Sequence, residues 1–512
     1  MTEKCYLGIE LGSTRIKAVL INEGFSPVAA GVFTWENRFE NGLFTYSEAD
    51  IKTGLQGAFA SLCADVKEKF NEEIKTVKSI CISAMMHGFL AFDKEMKLLT
   101  PFRTWRNVNT EKAAAILSEK LELNIPLRWS AAHLFEAVID NEDYIAKIDH
   151  VTTLAGYVHY LLTGEKVLGI GDASGMFPIK NGEYNFEKAE IFNKILAENG
   201  FEKKLCDIFP RILSAGENAG TLSNSGAVYL DPTGILSSGI PFAPPEGDAG
   251  TGMTATNSVS INTGNISAGT SVFAMAVLET PLKQSYPEID MVTTPDGEAV
   301  AMVHCNNCSG EIDTWVNLFS ETLTKMGITP DIGKLYETFF TSANSGNADG
   351  LMSYGFLSAE PIAGITDGIE MFIKSPQNSL NLANFSKAIL YSAICSLKIG
   401  MDILADEGID LKKIYGHGGY FKSGGFGARA AANAFGVPVI TGVSAGEGGA
   451  YGAALLAAYL HYNGTKLDEF LAKKVFANLN ETVFEPTDDG IKEFDEYYGR
   501  FIAGLHIIRE NN

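Results

Sequence analysis

Positive charge is what this chain lacks most: 40 Lys and Arg stand against 62 Asp and Glu, a formal net charge of −22 at pH 7. Such a surface repels polyanions, which excludes nucleic acid and anionic membranes as general partners. Any phosphate-bearing ligand then needs local donors or a cation that override the global field. Cysteine is scarce as well, seven residues scattered over 512. An odd, scattered set excludes a disulfide framework and predicts a reducing compartment, the cytoplasm. Cys305 and Cys308 form a lone C-x-x-C with no second ligand pair at metal-site spacing, so ordinary buried thiols are expected there. The first 12 residues have no basic stretch followed by an apolar run, so no signal peptide is expected. The most apolar late stretch, 453–460, is too short to span a bilayer. Low-complexity segments and short-period repeats are missing too.

What is present is a well-packed globular chain, 46% hydrophobic and 20% charged, long enough for two to four domains. Its two halves open alike. The first has the apolar run Tyr6–Leu11, the turn Gly12-Ser13-Thr14 and a second run at 16–21. The second has a short apolar run at 259–261, polar residues at 262–265, then Ile266 leading into Gly269-Thr270-Ser271 and the run Val272–Val277. Both read as strand, small-residue turn, strand. Between and after them, helical spacing predicts helices at 49–70, 133–148, 155–162, 382–407 and 427–435, with buried strands at 77–83 and 413–415. A small-residue segment at 450–459 is expected to be buried, and 467–512 has helical patterning. Three prolines and four glycines at 239–252 mark that stretch as the expected domain junction, giving domains 1–252 and 253–512. The expected fold class is α/β, two domains facing a cleft.

Several small constellations carry chemistry. Gly12-Ser13-Thr14 with Lys17 suits a phosphate cradle, since glycine admits close backbone approach while hydroxyls and N–H groups donate to anionic oxygens. Taken alone it is equally an ordinary hairpin turn. Its recurrence as Gly269-Thr270-Ser271 at the start of the second half is harder to set aside. Glu10, just before the first turn, is placed to hold Mg²⁺ directly or through water. Asp248, among glycines in Glu246-Gly247-Asp248-Ala249-Gly250, is the candidate general base. Gly416-His417-Gly418-Gly419 sits at a strand-to-helix turn suited to a nucleotide, but it is neither a G-x-G-x-x-G fingerprint nor a P-loop.

Taken in order and spacing, these motifs resemble the FGGY carbohydrate kinases, of the actin, Hsp70 and hexokinase fold superfamily, over nearly the full length. The residues 8–18 (GIELGSTRIKA) are similar to the family's first phosphate motif, with Glu10 where the family has Asp. Ser83-Ala84-Met85-Met86-His87-Gly88 resembles the sugar-pocket segment in its xylulokinase-like form, which implies that Met86 and His87 meet the sugar. Trp105 matches the tryptophan of a family signature in which Asn107 stands for the usual Asp. Leu162-Thr163-Gly164 and Asp172-Ala173-Ser174-Gly175 look like later landmarks, and Asp248 falls on the family's base. Gly269 and Thr270 fall on the second phosphate motif. Gly418-Gly419, Lys422-Ser423 and 432–439, with Asn433 where Asp is common, resemble the adenosine segment, and Glu447 with Gly452-Ala453-Ala454 completes the pattern.

The resemblance implies two actin-like (ribonuclease H-like) domains facing a central catalytic cleft. It also implies ATP and Mg²⁺ as cofactors and phosphorylation of a primary hydroxyl of a small sugar, a ketopentose such as D-xylulose or L-ribulose. ATP-binding residues are then Gly12, Ser13, Thr14, Lys17, Gly269, Thr270, Gly418, Gly419 and Asn433. Met86, His87, Trp105 and Asp248 form the substrate site. No nucleic-acid or membrane partner is expected, and a homodimer is left open. Two other classes also stay open: an actin- or Hsp70-like ATPase signalling to a protein partner, and a sugar sensor without catalysis.

Overall fold

The computed structural model describes residues 1–422, 424–442, 448–462, 464–478 and 481–510. The chain forms two compact units. The first holds Met1–Val259, Asp290–Val300 and Ser444–Asn478; the second holds Ser260–Ile289, Ala301–Val443 and Leu479–Asn512.

The first unit is built on β1 (Tyr6–Leu11), β2 (Arg15–Ile21), β3 (Pro27–Thr34), β4 (Ser79–Ala84) and β5 (Glu246–Gly247), in the order β5-β4-β1-β2-β3. The first three strands are antiparallel, while β4 and β5 run parallel to β1. Every residue of β4 is buried, as the continuous run Ser79–Ala84 requires of a central parallel strand. The helix Glu48–Phe70 starts at a capping box, with Ser47 and Asp50 exchanging side-chain and backbone hydrogen bonds. Its apolar face, Ile51, Leu55, Phe59, Leu62 and Val66, joins the core cluster with β1, β2 and β4. On the sheet's other side the helix Gly448–Tyr459 lies against β1 and against the helix Asp248–Ala255. Only small residues permit this: a Cβ on Gly8 would sit 2.1 Å from the Ala450 carbonyl oxygen.

In the second unit the order is β8 (Ala299–Cys305, in this unit from Ala301), β7 (Val272–Val277), β6 (Thr263–Ala268), β9 (Lys413–Gly418), β10 (Val439–Thr441) and β11 (Thr482–Phe484). β6 is antiparallel to β7 and parallel to β9, which is parallel to β10. The first five strands thus repeat the third-second-first-fourth-fifth order of the first unit. This is the α/β, actin-like architecture expected from the sequence. The helix Leu382–Asp406 is long and apolar enough to cross a membrane, yet 72% of its most apolar window is buried, so it serves as the core helix of this unit.

Two local expectations change. Residues 259–261 are not a strand; the strand is Thr263–Ala268, because Thr263 and Asn265 pair with Lys413 and Tyr415 of β9, and tertiary pairing outweighs the turn preference of asparagine. The helix expected over 133–148 is Ser130–Ile139, after which Asn141 turns left-handed (φ 51°) before a short 3₁₀ turn, Ile145–Lys147. Within the expected junction 239–252, Glu246 and Gly247 pair with Ser83 and Ala84 in the first unit, whose first stretch runs on to Val259.

Candidate active site

Asp248 is the first residue of its helix, placed at the end of β5. The backbone N–H of Met86, just past β4, donates to Asp248 Oδ1 at 3.0 Å. The base candidate and the sugar-segment candidates therefore meet at the carboxyl ends of neighbouring parallel strands, where α/β sheets place ligands. Burial raises the Asp248 carboxyl above its ordinary range, against hydrogen bonds from Met86, Ala249 and its own backbone. His87 holds a left-handed backbone (φ 69°), followed by Gly88 at φ 91°. For a non-glycine residue that conformation costs on the order of 1 kcal/mol and is concentrated at functional sites. Its ring Nδ1 lies 3.3 Å from the Gly175 carbonyl oxygen. Gly175 leaves no room for a side chain: a Cβ there would be 2.6 Å from His87 Nδ1 and 2.8 Å from Met86 Cε.

Glu10 is the penultimate residue of β1, opposite Lys17 in the β1–β2 register. Its Oε2 accepts the N–H of Ala450 at 3.1 Å, in the first turn of the Gly448–Tyr459 helix. Burial first, and the Asp248 charge second, push the Glu10 carboxyl up to about 7, with Ala450 and Lys17 acting in the other direction. A buried carboxylate whose proton affinity is raised by a neighbouring carboxylate's charge favours a cation beside it. Among the described residues no cluster of three His, Cys, Asp or Glu forms a metal cage. Mg²⁺ fits all the same, since it needs one or two carboxylates and fills its octahedron with water and phosphate oxygens.

Behind Asp248 lies a second acidic pair that sequence reasoning did not assign. Glu246 accepts the N–H groups of Gly171 at 3.1 Å and Asp172 at 2.9 Å. Asp172 Oδ2 accepts the Thr153 hydroxyl at 2.6 Å, whereas Oδ1 has no hydrogen-bond partner among the described residues. Both side chains are fully buried. Burial, then the neighbouring Asp172 charge, lifts Glu246 to about 8; burial, against the Thr153 bond and with the Asp248 charge, lifts Asp172 to about 7. The only sequence trace is the i, i+2 spacing of Glu246 and Asp248, which puts both carboxylates at one strand end.

The first small-residue turn is closed by the Gly12 N–H donating to the Arg15 carbonyl at 3.0 Å. Trp105, partly exposed, donates its ring N–H to Ser13 Oγ at 3.2 Å, so the candidate substrate residue touches the Gly12-Ser13-Thr14 turn. Asn107 is committed to the fold: its amide accepts from the Phe44 N–H at 2.9 Å and donates to the Phe44 carbonyl at 2.8 Å.

Within the second unit, Gly269-Thr270-Ser271 joins β6 to β7, and its carbonyls at Gly269 and Thr270 accept the N–H groups of Ser309 (3.0 Å) and Cys308 (2.9 Å). Gly418 ends β9 beside this turn at φ 97°, where a Cβ would meet the Ala268 carbonyl oxygen at 2.1 Å; only glycine fits. Gly419 opens the short helix Gly419–Lys422. Burial lowers His417 to about 4, leaving it neutral, and its Nε2 has no partner among the described residues. Asn433 accepts the Thr487 N–H at 3.0 Å and packs on Gly490, at the start of the helix Asp488–Arg509. Ser423 and Glu447 lie outside the described residues. Cys305 and Cys308 are buried free thiols, Cys308 pushed up to about 12 by burial.

Glu10, Gly12, Ser13, Thr14, Lys17, Met86, His87, Trp105 and Asp248 belong to the first unit, and Gly269, Thr270, Gly418, Gly419 and Asn433 to the second. The N-terminal domain model of the FGGY family of carbohydrate kinases matches residues 5–253, and its C-terminal domain model matches 264–461. A xylulose kinase of Haemophilus influenzae is 23% identical over 523 aligned residues, covering 98% of this chain and 99% of its own. Two solved structures from Lactobacillus acidophilus share the fold. One is a ligand-bound xylulose kinase (TM-score 0.77, 17% identity, 99% and 98% of the two chains covered). The other is a gluconate kinase (TM-score 0.79, 16% identity, 98% of each chain covered). With both family domains matched in order along most of its length, the chain belongs to the FGGY family of carbohydrate kinases.

Proposed function

We propose that this protein transfers the γ-phosphate of ATP to a primary hydroxyl of a ketopentose, D-xylulose or L-ribulose, in the cytoplasm. The observation that carries the reading is the hydrogen bond between Asp248 and the Met86 N–H, beside a strained His87. Asp248 is the general base: partly open to solvent, it accepts the proton of the attacking hydroxyl. The Met86 N–H fixes the Asp248 carboxylate by donating to Oδ1. His87, its ring beside the Gly175 carbonyl, is assigned to hydrogen bonds with sugar hydroxyls. Glu10 is the residue that would hold Mg²⁺, which when bound offsets the charge on the phosphate oxygens. The turn at Gly12, Ser13 and Thr14, together with Gly269 and Thr270, supplies backbone and hydroxyl donors to phosphate. Gly418, Gly419 and Asn433 are assigned to the nucleoside end.

The fold does not choose the sugar, since xylulose and gluconate kinases share it at similar distance. Support for a ketopentose comes from the full-length likeness to a xylulose kinase and from the Met86-His87 pair. The test is coupled ADP release with Mg-ATP over D-xylulose, L-ribulose, D-ribulose, L-xylulose, L-rhamnulose, gluconate and glycerol. One sugar should stand out, and Asp248→Ala should abolish its turnover. A rate independent of every sugar would point to a signalling ATPase instead.

A further inference from the structure

The phosphate turn of the first unit is held by aromatic residues that no motif marks. All three of its carbonyls accept from one short stretch of chain. Gly12 O accepts the Trp35 ring N–H at 2.7 Å, Ser13 O accepts the Tyr46 hydroxyl at 2.5 Å, and Thr14 O accepts the Trp35 backbone N–H at 3.2 Å. The two rings stack on each other, centroids 4.1 Å apart at 25°, and are 6% and 1% exposed. Among the described residues nothing accepts the N–H groups of Ser13 or Thr14.

The electrostatic consequence is direct. A peptide plane whose carbonyl is fixed on one side presents its N–H on the other. Fixing consecutive carbonyls therefore aims consecutive N–H groups together, which makes an anion-binding concavity. Donors fixed in advance need no reorganisation when the anion arrives. We infer that Trp35 and Tyr46 are positioning residues that set the phosphate turn in its anion-binding shape, and that Trp105 ties the same turn to the loop assigned to the sugar.

The tie is built from both ends. Trp105 donates to Ser13 Oγ at 3.2 Å. Two residues on, Asn107 clamps Phe44 through both amide atoms, at 2.9 and 2.8 Å, two residues before Tyr46. The Arg106 guanidinium lies 3.9 Å from the Phe44 ring centroid, closing the brace. This assignment rests on the kinase reading for its ligand, a nucleoside triphosphate.

The experiment uses the full chain and reads binding apart from turnover. Two of the four tryptophans, Trp35 and Trp105, touch the turn, so intrinsic fluorescence reports its occupancy. Mg-AMPPNP and AMP are titrated into wild type, Tyr46→Phe, Trp35→Phe and Trp105→Phe, with thermal melts alongside. Tyr46→Phe keeps the stacked ring and removes only the donor to Ser13. Its affinity for Mg-AMPPNP should fall on the order of 10-fold, the worth of one hydrogen bond, while AMP affinity and the sugar KM stay within 2-fold. Trp105→Phe, at the surface, should fold normally and weaken Mg-AMPPNP while AMP affinity stays within 2-fold. Equal weakening of AMP and Mg-AMPPNP, or unchanged Mg-AMPPNP binding in all three variants, would overturn the inference. So would a wild type that binds Mg-AMPPNP no better than AMP. If wild type binds Mg-AMPPNP selectively, the variants lose it, and no sugar is turned over, the positioning role stands and the kinase reading falls.

Discussion

Replacing Asp172 by Asn should leave stability unchanged in acid and raise it in alkali. Asp172 is fully buried, and its carboxyl is raised from 3.8 to about 7 by burial, with the Asp248 charge adding to the shift. The groups that face it are the Thr153 hydroxyl, Asp248, Glu246 and Tyr184, none of them cationic. Below the unfolded value both states carry the proton and the group contributes nothing to the slope. Between about 4 and about 7 the unfolded chain releases the proton while the folded chain keeps it, so stability falls as pH rises; above about 7 the loss is complete. A shift of roughly 3 units corresponds to about 4 kcal/mol. Asparagine resembles the protonated acid: Oδ1 can take the Thr153 bond, and the amide nitrogen occupies the place of the unpartnered Oδ1. The variant should therefore gain on wild type from about pH 4 upward and exceed it at pH 9 by about 2–4 kcal/mol once loss of the native geometry is subtracted. For a unit of this size that is roughly 5–15 °C in Tm. Thermal melts of both proteins from pH 5 to 9 make the measurement. Parallel curves, with the same offset at every pH, would show that Asp172 does not hold its proton in the fold.

Three further outcomes follow from the same geometry. Gly452→Ala puts a Cβ 1.9 Å from the Thr251 carbonyl oxygen, prising the Gly448–Tyr459 helix off the helix that begins with Asp248. Melts should show a loss of about 1–3 kcal/mol, and displacement of the base by about 1 Å should cost on the order of 100-fold in kcat/KM. Gly499→Ala, exposed in the helix Asp488–Arg509 with nothing within 4 Å of its Cβ, should instead stabilise by about 0.5–1 kcal/mol without touching turnover. Because burial raises the Asp248 carboxyl, kcat/KM should rise with pH through a value above the ordinary aspartate range, and a flat profile across that limb would remove Asp248 as base.

Much of the fold was legible because its signals are local. Continuous apolar runs gave β1, β4 and β7, and helical spacing gave Glu48–Phe70 and Leu382–Asp406 nearly to the residue. The failure at β6 has a clear cause. Asn265 reads as a turn residue but sits buried in β6 between two neighbouring strands. There pairing with a strand far along the chain decides the conformation, and such pairing leaves no mark in a short window.

The site divides along the same line. Motif residues were visible because small-residue turns at strand ends have few sequence solutions: Gly418 admits nothing larger against Ala268. The residues that set those motifs were not visible. Trp35 and Tyr46 reach the turn from more than 20 positions away, and as isolated aromatics they read as core. Their packing is indeed that of a core, yet each side chain spends its one polar atom on a carbonyl of the Gly12-Ser13-Thr14 turn. Asp172 is hidden for the opposite reason: nothing in Asp172-Ala173-Ser174-Gly175 announces that the carboxyl is buried beside two other acids. An acidic chain can still build a phosphate site because the charges that matter locally are few. Burial keeps protons on the inner acids near neutral pH, which limits the negative charge that Asp248 and Glu10 add beside the turn. On that argument the inner pair does electrostatic work for the site, and removing its titration should move the pH profile of turnover as well as the melting curve.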